Sequence, residues 1–331
     1  MKKQMQFELW EECNSKCTFC HLCNKNNITP NETKLNMIQD TLDKISNLSI
    51  YDEYDTIGFI GGEFFQGQLN TPEIKSKFME LMDKSRWLLD NDYIENVWIN
   101  VTLTIGNQND LYDVLKRFEG HKGNLWLLTS YDTLGRFHSQ KMLDNWDYHM
   151  KNIHKLYPEI KFNITSILTG DFIEKYLNNE INFTQMMEEY HCSLFFKVPA
   201  LQKEFYKSNK EMNNAIGHFF PTRDLFLEFL TTFRQTEHPD LWNKLFNIAY
   251  RADTLYCETE GDEYTITRNK NTYMEFIYND TNQKHIERDE NLYKTEYVDY
   301  IMDCGHLSTY NSYVDEDGCA ICDKLMIEEL I

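Results

Sequence analysis

Cys13, Cys17 and Cys20 stand in the spacing C-x3-C-x2-C, with the aromatic Phe19 directly before the third cysteine. They fall on what reads as a loop just after a short strand. Three thiolates on one short loop can hold three corners of a cubane iron–sulfur cluster, whereas a structural cluster normally takes four cysteines. The fourth iron is then left to a substrate or cofactor, and electrons can be delivered there. Two other chemistries fit closely spaced cysteines. Such residues are often zinc ligands in a reducing compartment. Cys23 also follows Cys20 with a two-residue gap, so Cys17, Cys20 and Cys23 read as a ferredoxin-like C-x2-C-x2-C run. On the three-thiolate reading Cys23 is a bystander.

A second set lies near the end of the chain: Cys304, His306, Cys319 and Cys322, spaced C-x-H-x12-C-x2-C. Two ligand pairs separated by a short loop suit a tetrahedral ion, and zinc is the first expectation. An auxiliary iron–sulfur cluster is the second. Cys257 would supply an extra ligand in that case. Cys192 reads as a buried thiol, the usual fate of a lone cysteine. Single histidines such as His191 read as structural.

The third feature is the run Thr56-Ile-Gly-Phe-Ile-Gly61-Gly62-Glu63, an apolar segment ending in a glycine turn. Glycine lets backbone carbonyls approach an ammonium closely, and a carboxylate adds charge-assisted acceptors. Together, Cys13-Asn-Ser-Lys-Cys17-Thr-Phe19-Cys20 and the later Gly61-Gly62-Glu63 resemble the radical S-adenosylmethionine (radical SAM) superfamily. Its signature, CxxxCxΦC with Φ aromatic, follows the first strand of a partial (β/α) barrel. The resemblance implies that Cys13, Cys17 and Cys20 hold a [4Fe–4S] cluster, with Phe19 beside it. It implies that Gly61, Gly62 and Glu63 bind the SAM amino group. Ser130 then falls where SAM's ribose or carboxylate is met, and the guanidinium fork of Arg136 suits the carboxylate. Asn163 or Thr165 on the fifth strand points into the barrel beside SAM, and the Phe195–Pro199 stretch lies near adenine. Asp132 faces substrate, or Ser130 and Asp132 simply cap the next helix. Lys197 is a substrate or proton-transfer group, or snorkels to solvent.

Elements must place these residues at one rim. Strand-like segments at 5–10, 56–61, 95–105, 124–130, 160–168 and 193–200 alternate with helical ones. Leu35, Ile38, Leu42 and Ile45 recur at helical spacing. So do Ile74, Phe78, Leu81 and Met82, then Met142, Trp146, Met150 and Ile153. These stripes read as core packing rather than ligand faces. Thr71-Pro72 reads as an N-cap with proline at the first helical position. Strand–helix repetition implies a parallel sheet with right-handed crossovers. The expected fold is α/β, a partial (β/α)6 TIM-like barrel with its chemistry at the carboxyl ends of the strands. The barrel is expected over residues 1–205 and a helical segment over 206–253, with helices at 221–234 and 239–250. A C-terminal extension over 254–331 carries a hairpin, with Glu260-Gly261-Asp262 as its turn, and the Cys/His site.

The chain has 331 residues, 41% of them hydrophobic, enough for one large domain and a smaller appendage. No apolar run is long enough to span a bilayer, and the first residues show no signal peptide. Nine cysteines without such a signal point to a reducing, cytoplasmic setting. A net charge of −20 argues against a broad phosphate-binding surface.

The expected activity, implied by the resemblance, is reductive cleavage of SAM to a 5′-deoxyadenosyl radical that abstracts hydrogen from a substrate. The electron comes from an external reductant such as flavodoxin or ferredoxin. A zinc knuckle favours a nucleotide or nucleic-acid base as substrate. An auxiliary cluster favours a peptide or protein instead, since the C-terminal segment faintly resembles the SPASM or twitch extensions of peptide-modifying radical SAM enzymes. The alternative of another class is a non-catalytic iron–sulfur and zinc protein that carries electrons.

Overall fold

Period-two burial writes the strands and period-3.6 burial writes the helices. In Asn124–Ser130, residues 125, 127 and 129 are buried and their neighbours half-buried. In Pro72–Asp90 the buried set is Ile74, Phe78, Leu81, Met82, Ser85, Leu88 and Leu89, with Met79 beside them. A computed structural model describes residues 3–10, 12–15, 17, 28–46, 54–132, 136–197, 223–237, 241, 263–268 and 273–279, the last two segments as backbone.

The order of elements is β1 (Lys3–Glu8), α1 (Asn31–Ser46), β2 (Tyr54–Ile60), α2 (Pro72–Asp90), β3 (Asn96–Asn100), α3 (Asn109–Arg117), β4 (Asn124–Ser130) and α4 (Gln140–Leu156). Then come β5 (Lys161–Ile167), α5 (Gly170–Leu177), α6 (Phe183–Tyr190), β6 (Cys192–Lys197), α7 (Arg223–Thr236), β7 (Glu263–Arg268) and β8 (Tyr273–Asn279). The fold is α/β. Strands β1 to β6 lie side by side in chain order, each parallel to the next. This sequential parallel order is compatible with a partial TIM-like barrel.

One face of the sheet packs on helices. Trp146 of α4 is fully buried and its indole N–H donates to Thr129 Oγ1 of β4 at 3.1 Å. The buried side chains of α1, α2 and α4 share one core with Ile57, Phe59, Val97, Ile99, Leu125 and Leu127. Each such aromatic or aliphatic side chain taken out of water contributes about 1.5–3 kcal/mol. The Met142, Trp146, Met150 and Ile153 stripe is therefore core, with Met142 at its half-buried margin. The cap at the start of α2 also stands: Thr71 Oγ1 accepts the Ile74 amide at 3.3 Å and Pro72 opens the helix.

The other face carries a polar and aromatic ladder. Asn96 Nδ2 donates to Thr56 Oγ1 at 3.2 Å, and Asn96 Oδ1 accepts from Asn124 Nδ2 at 2.9 Å and Trp126 Nε1 at 3.3 Å. Lys161 Nζ closes the row on Asn124 Oδ1 at 2.6 Å. These rungs sit at the amino ends of the strands, so that end is tied shut and the carboxyl ends are left for chemistry. Gly58 is required here, because a Cβ would lie 2.1 Å from the Trp98 ring.

Three expectations need correction. The strand expected at 95–105 ends at Asn100. Leu103 takes a left-handed φ of 59°, and Thr102 and Thr104 turn their hydroxyls to Gln66, so the chain leaves the ladder there. The strands of the hairpin are β7 and β8, which pair antiparallel from Arg268 and Met274 outward, so residues 260–262 precede the hairpin rather than join its strands. That hairpin also joins the sheet, since β8 pairs antiparallel with β1. Finally, α4 is preceded by Ser139 as N-cap, so neither Ser130 nor Asp132 caps it.

Helix α7 packs on the far end of the sheet. Phe229 meets Tyr176 edge to face and Phe233 meets it at a tilt, with centroids at 5.1 and 5.7 Å, and Phe233 also meets Phe183 and Phe196. The Glu237 carboxylate accepts the amides of Phe183 at 3.2 Å and Thr184 at 2.9 Å. A carboxylate at the first turn of α6 satisfies amides that the helix cannot. Cys192 is buried as expected and points at the Met186 carbonyl, 3.8 Å away. His191 caps α6 in the left-handed region and stacks on His154 at 4.1 Å, a structural place. The expected helix at 239–250 lies outside the described residues except for Leu241. The side chain of Lys197, Cys257 and the Cys304, His306, Cys319 and Cys322 set lie outside them entirely.

His149 shows how a histidine is held neutral. Nε2 donates to the Ile105 carbonyl at 2.9 Å, which fixes the tautomer, and Nδ1 accepts from Tyr112 Oη at 3.1 Å. Tyr112 Oη in turn accepts Asn152 Nδ2 at 2.8 Å. Burial pushes the imidazole below its ordinary value, against the pull of the Ile105 and Gly106 carbonyls. The unfolded chain then binds the extra proton first. The His149 contribution to stability is complete above pH of about 6.5 and is lost as pH falls below it, by at most about 1.4 kcal/mol per pH unit. Urea unfolding of wild type and His149→Gln across pH 5 to 8 checks this. The difference between the two curves is expected to shrink below pH of about 6.5 and to be flat above it.

Candidate functional site

The site is built where β1 and β2 end side by side. Leu9 N donates to the Ile60 carbonyl at 3.1 Å, the last rung of the ladder. Beyond it the two segments stay clasped. Gly62 N donates to the Trp10 carbonyl at 2.8 Å and Glu63 N to the Glu12 carbonyl at 3.0 Å. Trp10 Nε1 returns to the Glu63 carbonyl at 3.1 Å, and Asn14 Nδ2 to the Gln66 carbonyl at 2.9 Å. The cysteine loop and the glycine turn are thus one unit. Cys13 is half-buried and Cys17 buried on that unit. Phe19, Cys20 and Cys23 lie outside the described residues.

Gly61 is the closest approach in this clasp. A Cβ there would sit 2.4 Å from the Trp10 carbonyl oxygen. Only a residue without a side chain lets the two backbones meet, and Gly61→Ala is expected to cost about 1–3 kcal/mol as the turn shifts. A thermal scan reads that loss; an unchanged midpoint would show that the clasp yields without cost.

The Glu63 side chain is engaged by hydrogen bonds within the protein. It is 2% exposed. Oε1 accepts the amides of Phe64 and Phe65, both at 2.9 Å, and Oε2 accepts the amide of Thr102 at 2.8 Å. Burial pushes the carboxyl up, and Thr102, Phe65 and Phe64 pull it back. The side chain therefore pins the turn to the segment after β3. The surface left for a cationic group is the half-buried backbone of Gly61 and Gly62.

The Cys13 thiol is pushed up by burial and by the nearby Glu63 carboxylate. The Ser15 amide, which donates to Cys13 Sγ at 3.4 Å, and the Arg136 cation pull it down. An N–H aimed at sulfur is one of the bonds that tune a cluster. A coordinated metal removes the thiol proton outright. The part of the donor set that is described therefore fits a soft metal: two thiols on one clasped turn, one already accepting a hydrogen bond.

Arg136 and Asp132 form a pair. Arg136 Nε donates to Asp132 Oδ2 at 2.9 Å, and Asp132 Oδ1 accepts the Ile167 amide at 2.9 Å. Asp132 is 1% exposed. Burial pushes its carboxyl up, and the guanidinium pulls it down. Asp132 thus orients Arg136 and ties the end of β4 to β5. Ser130 and Asn163 lie on the helix-free face, at the end and the middle of neighbouring strands, with Ser130 in register with Thr165. Both are half-buried. Among the described residues, Asn163 Oδ1 is buried with no hydrogen-bond partner. Such an orphaned acceptor costs stability unless a ligand or water meets it.

The structure adds residues that motif reading passed over. Gln66 Nε2 donates to Thr102 Oγ1 at 2.7 Å, Thr104 Oγ1 at 3.0 Å and Ser15 Oγ at 3.2 Å. The ring of His138 meets the Ser15 carbonyl at 3.1 Å. The alternation Thr102-Leu-Thr104 after an apolar strand is the signal that was available for two of them. Among the described residues no group of three or more His, Cys, Asp and Glu side chains could hold a metal. Two of the three hook cysteines belong to that set. No family model matches the chain, and no curated protein matches it.

Proposed function

We propose that the chain is a radical SAM enzyme. The supporting observation is the clasp: a cysteine turn after β1, hydrogen-bonded through Trp10 and Glu12 to a Gly-Gly-Glu turn after β2. Both stand at the carboxyl rim of a parallel sheet, where α/β folds gather their chemistry. Cys13 and Cys17, with Cys20, would hold a [4Fe–4S] cluster. Such a cluster, reduced by an external one-electron donor, would supply the electron that splits the sulfonium carbon–sulfur bond of SAM into methionine and a 5′-deoxyadenosyl radical.

The chain's own residues do the rest. The Ser15 amide donates to Cys13 Sγ. The bare backbone at Gly61 and Gly62 lets an ammonium come within hydrogen-bond reach of carbonyl oxygens. Arg136, held by Asp132, presents a fork suited to a carboxylate. Asn163 Oδ1 offers an acceptor that lacks a partner among the described residues. Gln66, by gripping Ser15, Thr102 and Thr104 together, keeps the floor of the site rigid.

The test is anaerobic reconstitution with iron and sulfide. With SAM and dithionite, formation of 5′-deoxyadenosine is the expected result. An intact cluster without SAM cleavage would replace the enzyme by an electron carrier. Metal analysis of a Cys13/Cys17/Cys20 triple alanine variant then reads the C-terminal set alone: residual zinc goes with a nucleotide or nucleic-acid base as substrate, and residual iron with sulfide goes with a peptide.

A further inference from the structure

Lysine is a residue for surfaces, yet Lys34 is fully buried within the apolar stripe of α1, alongside Ile38, Leu42 and Ile45. Its ammonium reaches Glu12 Oε2 at 2.7 Å and the Gln68 carbonyl at 3.0 Å. It also lies 5.4 Å from the centroid of the Trp10 ring. Glu12 directly precedes Cys13. Its Oε2 takes a second donor, the Thr29 amide at 3.3 Å, and its own carbonyl takes the Glu63 amide at 3.0 Å. Residues 12 and 29 stand at the two ends of the segment that carries the cysteines. One carboxylate therefore joins both ends of that segment, and one buried cation joins it to the turn that follows β2.

We infer that Glu12 and Lys34 are positioning residues for the cysteine turn. A buried ion pair adds little net stability over an apolar pair of the same volume. What it adds is direction: an acceptor that must meet two donors at fixed angles holds the backbone on either side. With the ends joined at Glu12, the turn bearing Cys13 and Cys17 is set before any metal arrives. The preorganised loop then loses less freedom when it binds and holds the metal longer. This inference rests on the cysteine turn being the metal loop of the proposed enzyme.

The test compares wild type with Glu12→Gln and with the double variant Glu12→Gln/Lys34→Met. The single change leaves an unpaired buried ammonium and risks the fold. The double change removes both charges from the interior and is the one that keeps the test decisive. Amide exchange read by mass spectrometry on the full chain, before reconstitution, is followed on peptides covering residues 10–17 and, as control, 54–60. The expected result is exchange about tenfold faster at residues 13–17 with the β2 control unchanged. After reconstitution, a chelator is expected to strip iron about tenfold faster from the double variant, and the electron paramagnetic resonance line shape of the reduced cluster to change. Wild-type exchange at 13–17 in a folded double variant would overturn the inference. So would iron loss and line shape equal to wild type. A wild-type chain that takes up no iron would sink the proposed enzyme instead, and the exchange comparison would still decide the clamp.

Discussion

Cys17→Ala is expected to lose its cluster and to form 5′-deoxyadenosine at less than about one-hundredth of the wild-type rate. Removing even an outer-shell partner of a metal costs about 10–100-fold, and a direct ligand costs more. Cys17 is buried but stands outside the core cluster that the sheet shares with its helices. Replacing a thiol by a methyl group there leaves the backbone ties of Trp10 and Glu12 in place, so the metal-free fold is expected to persist. Circular dichroism checks the fold, iron and sulfide content checks the cluster, and chromatography reads the nucleoside. A Cys17→Ala protein with full iron and undiminished cleavage would remove the three-thiolate hook as the metal site.

Glu63→Ala is expected to be the most destabilising single change at the rim, by about 4 kcal/mol. Three main-chain amides, those of Phe64, Phe65 and Thr102, would lose their acceptor inside the protein. Each stranded buried donor costs about 1–3 kcal/mol. Glu63→Gln should cost less, about 2 kcal/mol, because its one carbonyl oxygen serves some of the amides while its amide group opposes another donor. The drop in urea midpoint at constant slope measures both. If Glu63→Ala unfolded at the wild-type midpoint, the turn would be held by the backbone clasp alone. If the alanine variant stayed folded and only SAM affinity fell, Glu63 would be a ligand after all.

Much of the scaffold was legible because burial leaves a period in the chain. Asn124–Ser130 matches the bounds expected of an apolar strand closed by polar residues, and Ile74, Phe78, Leu81 and Met82 lie in the core as their spacing required. Helices α3, α5 and α6 are short, and only α3 carries a full helical period, Leu111, Val114, Leu115 and Phe118. The extent of β3 was misjudged because Val101 to Ile105 continues an apolar–polar alternation past the last rung. Leu103 breaks that extended path by a backbone angle that its side chain does not announce. Tyr264, Ile266, Phe276 and Tyr278 give the hairpin its β character, whereas Glu260-Gly261-Asp262, which resembles a turn, lies before β7.

The motifs in the chain determined by themselves that cysteines and a glycine turn would follow the first two strands, because those residue types mark themselves by spacing. Side-chain duty was decided only by the tertiary structure. The resemblance implies SAM contacts for Glu63 and Arg136, and the sheet brings each a partner within the protein as well: the Thr102 amide for one and Asp132 for the other. Lysine is a residue for surfaces, yet the Lys34 ammonium closes on Glu12 in the interior. A hydrogen bond depends on where distant segments meet, and no local spacing encodes that meeting.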